Sequence, residues 1–325
     1  QDQAIDAFIE AVQGDPDTSE LHFALGNLFR RRGEYERAVR VHEHLLSRGD
    51  LSRADRHRAQ HALALDFLKA GLLDRAEEAL RKLEGTAFES QALTALLAIY
   101  ERTRDWAQAT EVAAKLHGTG QGDFSGRQAH YLCEQAVNAE PAQAEQLLRR
   151  AMKAAPEAAR PGIDLAALQR RAGDAVAAFQ TLQNTARAAP VAMPLIAKPL
   201  LEAAMACGQQ AQALQVLQAS YEVSPSLDVL EAVVALDPDR AAARDRYVEH
   251  LTREPSLVAA AKWLAGEKLE HEQFHAPVQK ALDQAVKPLT RYRCAACGFE
   301  AKQHFWHCPG CQAWDSYPAR RVEEL

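Results

Sequence analysis

Four cysteines near the C-terminus carry the one pattern in this sequence with an evident chemistry. In YRCAACGFEAKQHFWHCPGCQAWDSY, Cys294 and Cys297 form one CxxC knuckle, and Cys308 and Cys311 form a second after an interval of ten residues. Each knuckle turn directs two sulfurs to one point, so the pair closes a tetrahedral four-thiolate site for one iron or zinc ion. Gly298 permits the tight turn after the first knuckle, and Pro309 stiffens the second. His304 and His307 can each substitute for a thiolate, but four cysteines already fill four positions. A ribbon of about thirty residues has almost no core of its own. Metal binding must then supply much of its folding energy, on the order of 10 kcal/mol.

Such a ribbon needs a platform. Pro288 ends the last predicted helix only a few residues before Cys294, so the ribbon cannot swing far. It is expected to dock on the terminal helices, residues 226 to 286, with Phe305, Trp306 and Trp314 as apolar contacts. Trp263, with Leu264 and Leu269, marks the face that receives it.

The platform is read from a repeating unit. Leu21 to Leu46, LHFALGNLFRRRGEYERAVRVHEHLL, reads as two short amphipathic helices joined at Gly33. Gly26 and Ala38 let the two backbones approach, with Val41, His42 and Leu45 completing the seam. Taking the small residue of the second helix as a marker gives Ala4, Ala38, Ala76, Ala109, Ala144, Ala178, Ala213 and Ala243, at spacings of 30 to 38 residues. These centre on the tetratricopeptide period. Five residues before the marker stand Gly33, Gly71, Gly173 and Gly208, where a hairpin turns; twelve after it stand Pro16, Pro156, Pro190, Pro225 and Pro255, where the second helix stops. Nine before it, Phe29, Phe67 and Tyr100 give way to Gln135, Gln169, Ala204 and Val234, so the back half must pack differently.

The predicted fold class is therefore all-α, a tetratricopeptide-repeat superhelix with a small C-terminal metal-binding ribbon. Residues 1–16 read as a partial repeat (second helix only), 17–118 as a first subarray and 119–225 as a second. Residues 226–288 read as a divergent repeat and helical cap, and 289–325 as the ribbon. A half-repeat at the start predicts that the native protein extends further toward its N-terminus. The stretch TGQGDFSG, 119 to 126, follows no strand and lacks a phosphate-loop lysine, so it is expected to be a flexible joint.

Composition bounds the function. The chain has 325 residues, 47% hydrophobic but only 6% aromatic, which suits a core of Ala and Leu between helices. A net charge of −6 disfavours nucleic acid as a partner. No apolar run is expected to reach membrane-crossing length, and no signal peptide opens the chain. Six cysteines, four of them in the knuckles, suit a reducing compartment; Cys133 and Cys207 read as small core residues. The i, i+4 pairs His57/His61 and His271/His275 lack a third ligand and read as surface. Arg30, Arg31 and Arg32 read as a basic turn complementing a helix dipole. No nucleophile, base and pocket constellation appears, so no catalytic residue is assigned and an enzyme is not expected.

The ribbon resembles a shortened rubredoxin, with Tyr292 two residues before the first Cys, then CAACG and CPGC. It departs from rubredoxin in Gln312, where a glycine is usual, and in the shorter interval between knuckles. Repeats followed by YRCxxCGF and WHCPxCxxW resemble the lipopolysaccharide assembly protein B family of Gram-negative bacteria, over nearly the whole chain but most specifically in Tyr292 to Trp314. That resemblance implies a non-enzymatic adaptor on the cytoplasmic face of the inner membrane, held there by an N-terminal anchor. It implies regulation of lipopolysaccharide synthesis by promoting degradation of the lipid A pathway deacetylase through a membrane-bound ATP-dependent metalloprotease, with other lipopolysaccharide assembly proteins as further partners. Cys294, Cys297, Cys308 and Cys311 carry over as the metal ligands, and partners are expected on the concave repeat surface. The alternatives are a rubredoxin-like electron carrier and a tetratricopeptide cochaperone. Against the latter, Phe23 stands where a carboxylate-clamp lysine belongs.

Overall fold

The computed structural model describes residues 18–120, 122–237, 239–267 and 272–325. The expected half-repeat over residues 1–16, together with Leu269 and His271, lies outside the described residues. Helical hairpins follow one another along the chain: α1 (Thr18–Arg31) with α2 (Tyr35–Ser47), α3 (Arg53–Ala70) with α4 (Leu73–Arg81), and α5 (Glu89–Thr103) with α6 (Trp106–Gly118). They continue as α7 (Ser125–Val137) with α8 (Pro141–Ala154), α9 (Ala159–Arg171) with α10 (Ala175–Ala188), and α11 (Met193–Cys207) with α12 (Gln210–Val223). The stretch predicted to drift from the pattern forms two more, α13 (Leu227–Leu236) with α14 (Arg240–Arg253) and α15 (Leu257–Ala265) with α16 (Glu272–Val286). A two-stranded ribbon, β1 (Tyr292–Arg293) and β2 (Glu300–Ala301), follows. The chain divides into two compact units at Ser125 and Gly126, the end of the glycine-rich interval.

In the first unit the repeat frame is visible in burial. The markers Ala38, Ala76 and Ala109 are fully buried, and Phe29, Phe67 and Tyr100 fill the seam. Gly33 and Gly71 turn their hairpins at φ near +79° and +76°, a conformation glycine adopts without a Cβ penalty. The third hairpin has Arg104 at that position, and its backbone still goes left-handed, at φ 59°. The turn geometry is thus imposed by the packing of α5 on α6, with the residue bearing the strain.

The first seam closes as expected but with a different partner set. A Cβ on Gly26 would lie 2.5 Å from the His42 ring, so the glycine makes room for a histidine rather than for a backbone. His42 Nδ1 faces the fully buried Asp66 carboxylate at 2.5 Å, and Arg30 Nη1 donates to the other oxygen at 2.8 Å and to the Ala62 carbonyl at 3.1 Å. Arg30 is therefore not a solvated turn residue; it compensates a buried carboxylate that would otherwise be costly. His61 likewise leaves the expected surface role, being half-buried and stacked on Phe88.

The second unit keeps the markers Ala144, Ala178 and Ala213 buried. Where the aromatic knobs are lost, close helix contact replaces them: Gly162 of α9 lies against Thr185 of α10, and an added Cβ would meet Thr185 Cβ at 2.9 Å. Asp174, Ser226 and Ser256 cap α10, α13 and α15 by accepting from the third residue on. Contrary to the expectation that no run reaches membrane-crossing length, Pro190–Cys207 does so, with a mean hydropathy of 1.3. Met193, Ile196, Ala197 and Leu200 of this stretch lie in the unit's main hydrophobic cluster, so its apolarity is that of a central core helix. Cys133 is buried in the neighbouring cluster and Cys207 packs at the edge of the main one.

Candidate metal centre and its docking face

The two knuckles are built alike. In the first, the Gly298 amide donates to the Cys294 carbonyl and the Cys294 amide to the Phe299 carbonyl, each at 2.9 Å. In the second, the Gln312 amide donates to the Cys308 carbonyl and the Cys308 amide to the Ala313 carbonyl, again at 2.9 Å. Gly298 and Gln312 occupy equivalent positions and both are left-handed, at φ 77° and 63°. The departure from glycine at Gln312 thus changes the residue without changing the turn.

The four Sγ atoms lie within 4.8 Å of one another. Cys294 and Cys311 are 3.8 Å apart and Cys297 and Cys308 3.7 Å, far beyond the roughly 2.05 Å of a disulfide. A tetrahedron with metal–sulfur bonds of about 2.3 Å has edges of about 3.8 Å. The spacing therefore fits one ion. Around Cys294, the Ser316 hydroxyl at 3.3 Å and the amides of Cys297 and Ala296 pull the thiol below its ordinary range, which favours the thiolate a metal requires. His304 and His307 are otherwise engaged: Nε2 of His304 donates to the Tyr317 carbonyl at 3.0 Å, and Nε2 of His307 to the Gln312 carbonyl at 2.9 Å.

Cys294 and Cys308 are buried in a small cluster with Tyr292 and Tyr317, against which Phe305 packs together with Leu195 of α11. Trp314 stacks on His130 of α7, centroids 4.9 Å apart, and meets Tyr131 edge-on at 5.7 Å; Trp306 lies 5.9 Å from the same His130. Asp315 is left-handed at φ 50° and accepts from His130 Nε2 at 2.8 Å. On its other side His130 approaches the buried Arg160, which pairs with Glu134 at 2.7 Å and Asp164 at 3.3 Å.

The ribbon's rings thus face α7 and α11, not the terminal helices expected to receive them. Trp263 is placed elsewhere, in a cluster with Leu230, Tyr247 and Val258 that Val286 and Leu289 close. What reaches the terminal helices is the tail after the ribbon. Arg321 forms a bidentate pair with Asp228 at 2.7 and 2.8 Å and lies 4.1 Å from the Tyr292 ring centroid. Glu324 accepts from the Leu227 amide at 2.8 Å; Glu323 accepts from the Leu257 amide at 2.6 Å and from the Ser256 hydroxyl at 2.7 Å. Two helix N-termini, whose first amides have no intrahelical acceptor, are thereby closed by carboxylates from the tail. His130, Tyr131, Leu195, Asp228 and Leu257, which receive the ribbon and tail, all lie on first helices of their hairpins. Sequence reasoning missed His130, Asp315, Arg321, Glu323 and Glu324; the available signal was a polar residue inside the apolar HYLC stretch and the mixed charges of RRVEEL.

A family model described as a rubredoxin metal binding domain matches residues 292–317. The sequence is 32% identical over 343 residues to lipopolysaccharide assembly protein B of Escherichia coli strain K12, covering 100% of this chain and 87% of that protein. The protein of the same name from Haemophilus influenzae strain Rd is 27% identical over 335 residues, covering 97% and 85%. Among solved structures, Naa15/Naa10 bound to HypK-THB aligns with a TM-score of 0.51 at 16% identity, over 89% of this chain and 45% of that one, a likeness of fold alone. With helical-repeat hairpins along its length, a four-cysteine ribbon at its end and a relative this similar over its full extent, the chain belongs to the lipopolysaccharide assembly protein B family.

Proposed function

We propose that the protein is a non-enzymatic adaptor that regulates lipopolysaccharide biosynthesis from the cytoplasmic face of the inner membrane. It acts by bringing the lipid A pathway deacetylase to a membrane-bound ATP-dependent metalloprotease. The observation that carries this reading is the full-length similarity to proteins named for lipopolysaccharide assembly. The site supports it in kind: four cysteines close around one ion and leave no open position for a substrate, the mark of a structural centre. Bound iron or zinc would cross-link two knuckles that have little core of their own. This chain's residues do the rest, with Trp314, Asp315 and Arg321 fixing the ribbon and tail to first helices.

The test is recovery from a Gram-negative membrane extract on the intact chain and on a Cys294→Ser/Cys297→Ser variant, alongside the deacetylase half-life in cells lacking the protein. Recovery of a protease and the deacetylase by the intact chain, with a lengthened half-life in its absence, is expected. A half-life unchanged by its loss would remove the proteolytic step, and unchanged lipopolysaccharide content would remove the whole reading.

A further inference from the structure

A groove of about 960 Å³ runs between α7, α8 and α9, with Trp306 as one wall. Its floor is made of small side chains, Cys133, Ala136 and Ala144, and of Leu148 and Leu168. At its edge Val137 is 69% exposed, an apolar side chain left in water. The volume lies at the upper end of the roughly 300–1,000 Å³ of ligand sites, so a peptide segment fills it better than a small metabolite.

The charged groups of the lining favour one sign. They are Arg160, Arg170, Arg171 and a single carboxylate, Asp164. Arg160 is held by Glu134 and Asp164, and Arg170 is paired with Glu202. Among the described residues, Arg171 forms no ion pair, and its side chain is exposed at the end of α9.

We propose that this groove docks a segment of a partner protein carrying an apolar anchor beside a carboxylate, the anchor against the small-residue floor and Trp306, the carboxylate on Arg171. The proposal rests on the adaptor reading and adds the place and chemistry of one contact. It also ties that contact to the metal, because Trp306 stands two residues before Cys308 and its position is set by the ribbon.

The probe is a displayed library of random short peptides selected on the purified metal-loaded chain. Variants Arg171→Glu and Ala167→Trp, both at exposed lining positions, are checked for unchanged helical content and metal content, and Trp306→Ala tests the wall. Enriched peptides should combine aliphatic or aromatic residues with Asp or Glu, and each variant should weaken their binding by about tenfold or more. No enrichment, enrichment of basic peptides, or acidic peptides indifferent to Arg171→Glu and Ala167→Trp would overturn the proposal. The selection uses only the purified chain, so it stands if the proteolytic step fails. Conversely, recovery of partners from membranes by the Arg171→Glu chain at full strength would place the adaptor contact elsewhere.

Discussion

Replacing Arg321 with methionine isolates what the tail contributes, because the stem that covers apolar surface remains while the guanidinium is lost. The lost interactions are the bidentate pair with Asp228, a donation to the Thr290 carbonyl at 2.9 Å, and the cation over Tyr292. The paired side chains are 24% and 17% exposed. The pair therefore falls between an exposed bridge, about 0.2–1 kcal/mol, and a broken buried one, about 3–5 kcal/mol. A value near 2 kcal/mol, plus about 0.5–1 kcal/mol for the cation–π contact, gives roughly 2.5–3 kcal/mol, or about a hundredfold in the tail's opening equilibrium. Residue-resolved hydrogen exchange reads this directly. The amides of Leu227, Leu257 and Val258 stand in first helical turns and have tail carboxylates as acceptors. Their exchange should accelerate about a hundredfold, while Leu230, bonded to the Ser226 carbonyl within its own helix, keeps its rate. Rates at the three amides within about threefold of the parent, or equal acceleration throughout the second unit, would refute this account of the tail.

Removing the metal by chelation, or by Cys294→Ser with Cys297→Ser, should deprotect the amides of α7 around His130 as well as those at the tail contacts; unchanged exchange in α7 would show that the rings hold without the ion. Arg104→Gly relieves a left-handed arginine at the cost of a freer unfolded chain, and should leave the first unit about 0.5–1 kcal/mol more stable in denaturant unfolding. Gly162→Ala must push α9 off Thr185 and should destabilise the second unit by about 1–3 kcal/mol. Burial lowers His61, His250 and His304 from their ordinary value of 6.5. A folded value depressed below the unfolded one means stability that is complete above the unfolded value, 6.5, and is lost as pH falls from there through the folded value. Unfolding midpoints should therefore drop on going from about pH 7 to about pH 5.5, and His61→Gln should flatten the drop for the first unit.

The repeat was legible because its markers report backbone necessity: an alanine where helices touch, a glycine where the chain turns left-handed, a proline where a helix stops. The cysteine site was legible for the same reason, since ligand spacing is local. What escaped depends on contacts between residues far apart in sequence. His130 and Asp315 are separated by 185 positions and Leu227 and Glu324 by 97, and nothing in either local pattern names the other. Arg30 was misread on similar grounds, as its partner Asp66 lies 36 residues on. Arg104 and Gln312 show a further limit, because packing can impose a glycine conformation where the sequence offers none.

Those distant contacts alter the physics of the array itself. Stacked hairpins interact mainly with their neighbours, so their stability sums locally and they can open one at a time. The ribbon and tail break that locality. From residues after 290 they reach α7, α11, α13 and α15, joining by side-chain and amide contacts helices that span more than a hundred residues of chain. An adaptor must present a surface of fixed shape, and hairpins that fray independently cannot do so. The ion stabilises a segment too small to fold alone, and that segment restrains first helices that would otherwise be held only by their neighbours. Ordering some thirty terminal residues is thereby converted into order along the face on which a partner would be held.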